Sequence, residues 1–220
     1  MSAKSKMTII PTIFDKDYRE AERKLGLVSG LTKWVQIDVT DDMFTPGKTF
    51  ELELLNKFET NGINFLYDIH LMVKDPIKWL EKCLFVNATR VIGQVEMMSS
   101  VEAFVEKSKD IGFEAGIAYD WGTEIGKIPK ETDEILLMGR KAGFGDFELE
   151  KGIFIKIEAL KQRRVDDNLD FMIGVDGAVT LGNVAKIKTA GADWVYCGEA
   201  VFHGNVNDNL DLLRKEIKSD

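Results

Sequence analysis

Cysteine, excess basic charge and long apolar runs are what this sequence has least of. Its two cysteines, Cys83 and Cys197, stand far apart and form no metal-type spacing. Two isolated thiols exclude a disulfide scaffold and suit a reducing cytosol. Lys and Arg number 29 against 37 Asp and Glu, a net charge of −8. With no Lys/Arg stripe to offset that balance, a nucleic-acid partner is excluded. The short run Lys161-Gln162-Arg163-Arg164 reads as a solvated helix end. No stretch approaches the roughly 18 apolar residues of a membrane span, which argues against a membrane-spanning helix. The polar segment Met1 to Met7 lacks the apolar centre of a signal peptide. A soluble cytoplasmic protein is the expectation.

What is present is ordinary globular material: 220 residues, 45% hydrophobic and 30% charged, with no low-complexity tract and no linker-like stretch. That is enough apolar content for a full core. Short β-prone runs alternate with longer amphipathic ones. The pattern predicts strands near Thr8 to Phe14, Trp34 to Val39, Asn64 to Ile69, Arg90 to Val95, Glu114 to Ala118, Glu134 to Met138, Phe171 to Val175 and Trp194 to Cys197. Helices are expected over Asp17 to Leu27, Glu51 to Thr60, Pro76 to Val86, Ser100 to Ile111, Leu181 to Thr189 and Asn209 to Ile217. Asp75 is the expected cap of the third, with Pro76 at its first turn. Asn207 or Asp208 is the expected cap of the last. Eight β-then-α units make a parallel sheet, and eight is the number that closes a single TIM (β/α)8 barrel over residues 1–220. An open doubly wound sheet is the alternative, but the count favours closure.

Polar residues at the ends of apolar strands carry the chemistry. Side chains at i and i+2 share a strand face, so Gln36 joins Asp38, and Asp68 joins His70 and Met72. If those faces point inward, Asp38, His70 and Asp176 converge at the barrel mouth, where barrel active sites lie. One Asp at a strand end is as often a cap for the next loop. Three such groups from three strands argue for more. Buried carboxylates without partners are expensive, so convergence implies either a metal or a proton-transfer role.

These segments resemble the ribulose-phosphate 3-epimerase family nearly end to end. The matching runs are Ile10-Pro11-Thr12-Ile13, Gln36-Ile37-Asp38, Asp68-Ile69-His70-Leu71-Met72-Val73, Gly143-Phe144-Gly145, Val175-Asp176-Gly177 and Gly198-Glu199-Ala200-Val201-Phe202. Related barrels that decarboxylate or condense sugar phosphates carry a Lys where this chain has His70. The resemblance implies a ribulose-phosphate-binding barrel acting on a small-molecule sugar phosphate. It also implies a divalent metal (Zn2+, Fe2+, Mn2+ or Mg2+) at Gln36, Asp38, His70 and Asp176. Asp38 and Asp176 would be the acid and base on opposite faces of the sugar. Thr12, Met72, Met138, Gly143, Phe144, Gly145, Gly177, Ala178, Gly198 and Glu199 would bind substrate. Family members are often oligomeric, so a homo-oligomer is expected.

The chain also departs from the pattern. Gln36 replaces a metal-binding His, and an amide oxygen is a weaker ligand for zinc-like ions than an imidazole nitrogen. Gln94 replaces another His. Thr12 replaces Ser and keeps the hydroxyl. Ala178 replaces a Gly of the phosphate turn, and Glu199 stands where a small Ser is expected, so a carboxylate faces the phosphate position. Arg140 and Lys141 are candidates to neutralise Glu199 or to bind phosphate themselves, and Asp146 adds an acid to their loop. Three readings follow: an epimerase of the ribulose 5-phosphate type, an epimerase-like barrel with a shifted substrate, or a non-catalytic sugar-binding barrel. The joint presence of Asp38 and Asp176 favours an enzyme.

Overall fold

The computed structural model describes residues 7–58, 64–145 and 148–218. Eight parallel strands close on themselves in sequence order. They are β1 (Thr8–Ile13), β2 (Trp34–Thr40), β3 (Leu66–Met72), β4 (Ala88–Gln94), β5 (Glu114–Tyr119), β6 (Glu134–Met138), β7 (Met172–Asp176) and β8 (Trp194–Cys197). β1 pairs with β8, from Thr8 opposite Trp194 to Pro11 opposite Cys197, so no sheet edge is left. The TIM barrel expected from eight units is the fold found. β3 and β4 each sit about two residues from their expected bounds, and β6 and β8 coincide with them.

The helices are α1 (Tyr18–Leu27), α2 (Leu80–Phe85), α3 (Val101–Ile111), α4 (Ile153–Asp166), α5 (Val184–Ala190), α6 (Glu199–Phe202) and α7 (Val206–Glu216). Local chemistry explains their starts. Asp17 accepts from the Arg19 N–H ahead of α1, and Ser100 from the Ala103 N–H ahead of α3. Four expectations are corrected. Asp75 adopts a left-handed conformation and makes no capping bond, and the segment after it opens as a 3-10 turn, Pro76–Trp79, before α2. Asn205, not Asn207 or Asp208, caps α7. The connection from β5 to β6 contains no helix, so the alternation is not strict. The expected helix from Glu51 is a 3-10 turn, Leu52–Lys57; its expected end, Thr60, lies outside the described residues.

Strand alternation divides the apolar side chains into two cores. Outward residues such as Ile37, Ile69, Val91, Ile135 and Val175 meet the helices in the larger one. Inward residues, among them Ile10, Met72, Ile92, Leu136, Met138 and Tyr196, fill the barrel itself. The polar inward residues gather at two levels. Both cysteines are buried free thiols.

Candidate active site

At the C-terminal mouth, β2, β3 and β7 bring Asp38, His70 and Asp176 together. Parallel register sets Asp38 opposite His70. One ligand atom from each of the three lies within 4.8 Å of the others. His70 Nδ1 is 2.9 Å from Asp38 Oδ1 and 3.8 Å from Asp176 Oδ2. Gln36 joins them through its amide nitrogen: Nε2 donates to Asp38 Oδ1 at 3.0 Å and to Asp176 Oδ2 at 2.9 Å. One amide thus spends both hydrogens tying two acids together, and its Oε1 is buried with no partner. The amide oxygen expected to face a metal is turned aside.

The charges at the mouth respond to this crowding. Burial, then the neighbouring charge of Asp38, pushes the Asp176 carboxyl up to about 7. Burial opposes the imidazolium of His70, but Asp38 and Asp176 outweigh it and raise its pKa. The set fits a divalent cation through three groups, because one imidazole and two carboxylates converge.

A cavity of about 1170 Å³ opens over this cluster, lined in part by Thr12, Asp38, Asp176, Gly177, Ala178 and Glu199. Gly145 and Gly198 line it as well, as does Arg140. Thr12 Oγ1 is buried without a partner. Gly177 and Ala178 both have positive φ, 88° and 56°. Glycine takes that conformation freely, whereas Ala178 takes it at a cost. Arg140 leans over Gly177 and its guanidinium donates to the Lys141 and Gly143 carbonyls. Gly143 lies against the Thr45 side chain, which a Cβ would strike. Phe144 stacks on Phe14 with ring centroids 3.9 Å apart, and Lys16 Nζ sits 4.6 Å above its ring. The loop after β6 is thereby folded across the end of β1. Met72 and Met138 belong to the apolar filling of the barrel. Asp146 lies outside the described residues.

Two residues below the mouth along β3 lies a second cluster. Asp68, Arg90, Glu134 and Tyr196 are all buried. Arg90 Nη1 donates to Asp68 at 3.3 Å and to Glu134, and its Nε donates to Glu114 at 2.9 Å. The guanidinium carbon sits 4.7 Å from the Trp34 ring centroid and 4.1 Å from that of Trp194. Both tryptophans therefore close the barrel from inside. Residue type argues against placing Arg90 or Glu134 inward, because charged residues usually face solvent. The period-two rule does align Arg90 with Gln94 and Glu134 with Met138, and that was the available signal.

Fold and mouth together define a class, the (β/α)8-barrel enzymes whose acids gather at the C-terminal ends of the strands. Two curated relatives are ribulose-phosphate 3-epimerases. That of Serratia marcescens is 27% identical over 90% of this chain and 96% of its own. That of Escherichia coli (strain K12) is 26% identical over 95% of each. The chain belongs to the ribulose-phosphate 3 epimerase family, whose model matches residues 8–202, and it is an isomerase of the carbohydrate-epimerase kind. Among solved structures, a 3-hexulose-6-phosphate synthase superposes with a TM-score of 0.66 at 12% identity, covering 96% of this chain and 99% of its own. A 3-keto-L-gulonate-6-phosphate decarboxylase from Vibrio cholerae gives 0.64 at 11%, covering 97% and 98%. At those identities they speak for the fold alone. No helix among the described residues is long and apolar enough to cross a membrane.

Proposed function

We propose that this chain epimerises a ketose phosphate of the ribulose 5-phosphate/xylulose 5-phosphate type at C3, with Asp38 and Asp176 as its base and acid. The observation that carries this reading is the pair itself: two acids from β2 and β7, bridged by one amide, beneath an open cavity. Epimerisation needs one group to take the proton from one face and another to return a proton to the opposite face. An acid that keeps its proton near neutral pH suits the returning step, and burial, then the neighbouring charge of Asp38, raises the Asp176 carboxyl in that direction. The proton taken from C3 leaves negative charge on the carbonyl oxygen, an enediolate. A divalent cation (Zn2+, Fe2+, Mn2+ or Mg2+) held by Asp38, His70 and Asp176 would supply positive charge against it. Gln36 would steady both carboxylates and Thr12 Oγ1 would meet the sugar. The turns at Gly177-Ala178 and Gly198-Glu199, with the Gly143-Phe144-Gly145 loop, would enclose its far end. Met72 and Met138 would back the sugar from within the barrel.

The decisive experiment follows hydrogen exchange at C3 of ribulose 5-phosphate in D2O by NMR. Metal-stripped protein is given each of the four ions in turn. Exchange that vanishes in Asp38→Asn and in Asp176→Asn supports the two-acid mechanism. Folded protein that exchanges nothing with any ion rules out this substrate. Glu199, on the cavity wall, favours a second reading in which the far end of the substrate is not a phosphate dianion. Faster turnover of an unphosphorylated ketose than of its phosphate would select it.

A further inference from the structure

Gln94 lies against the far side of His70, and its surroundings leave its amide one orientation. With the oxygen toward His70, the imidazole Nε2 donates to it over 3.2 Å. The amide nitrogen then donates to Glu96 Oε2 at 2.7 Å and to the Ala118 carbonyl at 3.3 Å. Turned over, the amide would aim its oxygen at two acceptors and forfeit those bonds. Glu96 is the charged and closer of the two acceptors, so it is the stronger constraint. It is held in turn: it stands in the 3-10 turn Val95–Met97 that ends β4, and its Oε1 accepts from the Asp120 N–H at 2.8 Å. Asp120 belongs to a pinned segment, since Lys156 Nζ donates to the Trp121 and Thr123 carbonyls at 2.6 and 2.8 Å.

We infer that Glu96 is a positioning residue that, through Gln94, keeps a proton on Nε2 of His70. Nδ1 is then the nitrogen the ring turns to Asp38 and Asp176, and to a cation they hold. A histidine that ligates a metal through one nitrogen is ordinarily fixed by a hydrogen bond from the other. Here the fixing carboxylate acts at one remove, with an amide between. The consequence for metal affinity rests on the cation site proposed above, whereas the hydrogen bond itself does not.

The test compares wild type with Glu96→Leu and the milder Glu96→Gln. The chain has only two histidines, so His203→Asn assigns the ring signals. In wild type, stripped or loaded with Zn2+, 15N-resolved NMR should show an exchange-protected proton on Nε2 of His70. In Glu96→Leu that proton should lose protection, and the Kd for Zn2+ should rise ten- to a hundredfold, as is usual when such an outer partner is lost. Glu96→Gln can accept from only one of its two donors, so it should fall between, and it serves if the leucine variant fails to fold. An Nε2 proton equally protected in the variants overturns the inference. Wild type that takes up no Zn2+ would retire the cation site, and the proton comparison would still decide this one.

Discussion

Two polar clusters share the barrel interior, two residues apart along β3, and similar groups serve opposite ends in them. The floor cluster places two buried acids, Asp68 and Glu134, around Arg90 and Tyr196, with Trp34 and Trp194 packed on the Arg90 guanidinium at the N-terminal ends of β2 and β8. Tyr196 lies 2.8 Å from Asp68 Oδ2 and 2.6 Å from Glu134 Oε1, with a single hydroxyl proton for both. One of the two acids must therefore bring its own proton, in keeping with burial pushing Asp68 up to about 8. Gly174 completes the floor, since a Cβ there would collide with Glu134. The mouth cluster has no arginine. Its acids are tied by a neutral amide, and two of its polar atoms, Thr12 Oγ1 and Gln36 Oε1, lack partners, against one, Asp68 Oδ1, at the floor. A buried polar network that is nearly satisfied holds structure. One that is open and short of partners is built for a ligand.

The sharpest way to break this contrast is at the mouth. Asp38→Asn and Asp176→Asn should each lower kcat by roughly 10²–10⁴. Their urea midpoints should not fall, because a like charge is removed. Activity and unfolding measured on the same samples decide it, and a large stability loss would erase the distinction. At the floor, Arg90→Met should cost about 3–5 kcal/mol, the usual result of stranding buried acids. Adding Asp68→Asn and Glu134→Gln should recover most of that loss in the same denaturation series.

The pH dependence joins the two clusters. Asp68 is raised to about 8, and Glu134 is raised too, by burial first in each case. An acid whose pKa is higher in the folded state binds its proton more tightly there. Its stabilisation is whole below about pH 4 and is lost as pH climbs to about 8. Asp176, at about 7, and the raised His70 act in the same direction. Urea midpoints should therefore fall from pH 5 to 9, with a shallower fall in Asp68→Asn. A midpoint that rises with pH would contradict the floor's shared proton. The smallest effect is Ala178→Gly, which relieves a left-handed residue and should gain about 0.5–1 kcal/mol in thermal unfolding.

Much of this was legible in the residues. The alternation in Trp34-Val35-Gln36-Ile37-Asp38 and Asp68-Ile69-His70 places the polar groups on one face, and β6 and β8 match their expected bounds. Other features were not legible. The run Ile153-Phe154-Ile155-Lys156-Ile157 is as β-prone as the strands beside it, and becomes helix α4 where it lies against β6 and β7. The orientation of the Gln36 amide follows from two acids, one of them 140 positions away.

By itself the sequence determined the number of strands, the face each polar residue takes and the presence of acids and an imidazole at three strand ends. Those are local properties, set by side-chain periodicity and turn chemistry. Only the tertiary structure decided that Asp68 and His70, on one face of one strand, belong to different clusters with different partners. Closing the barrel staggers the strands, and the stagger determines which inward side chains share a level. No spacing within a single strand contains that information.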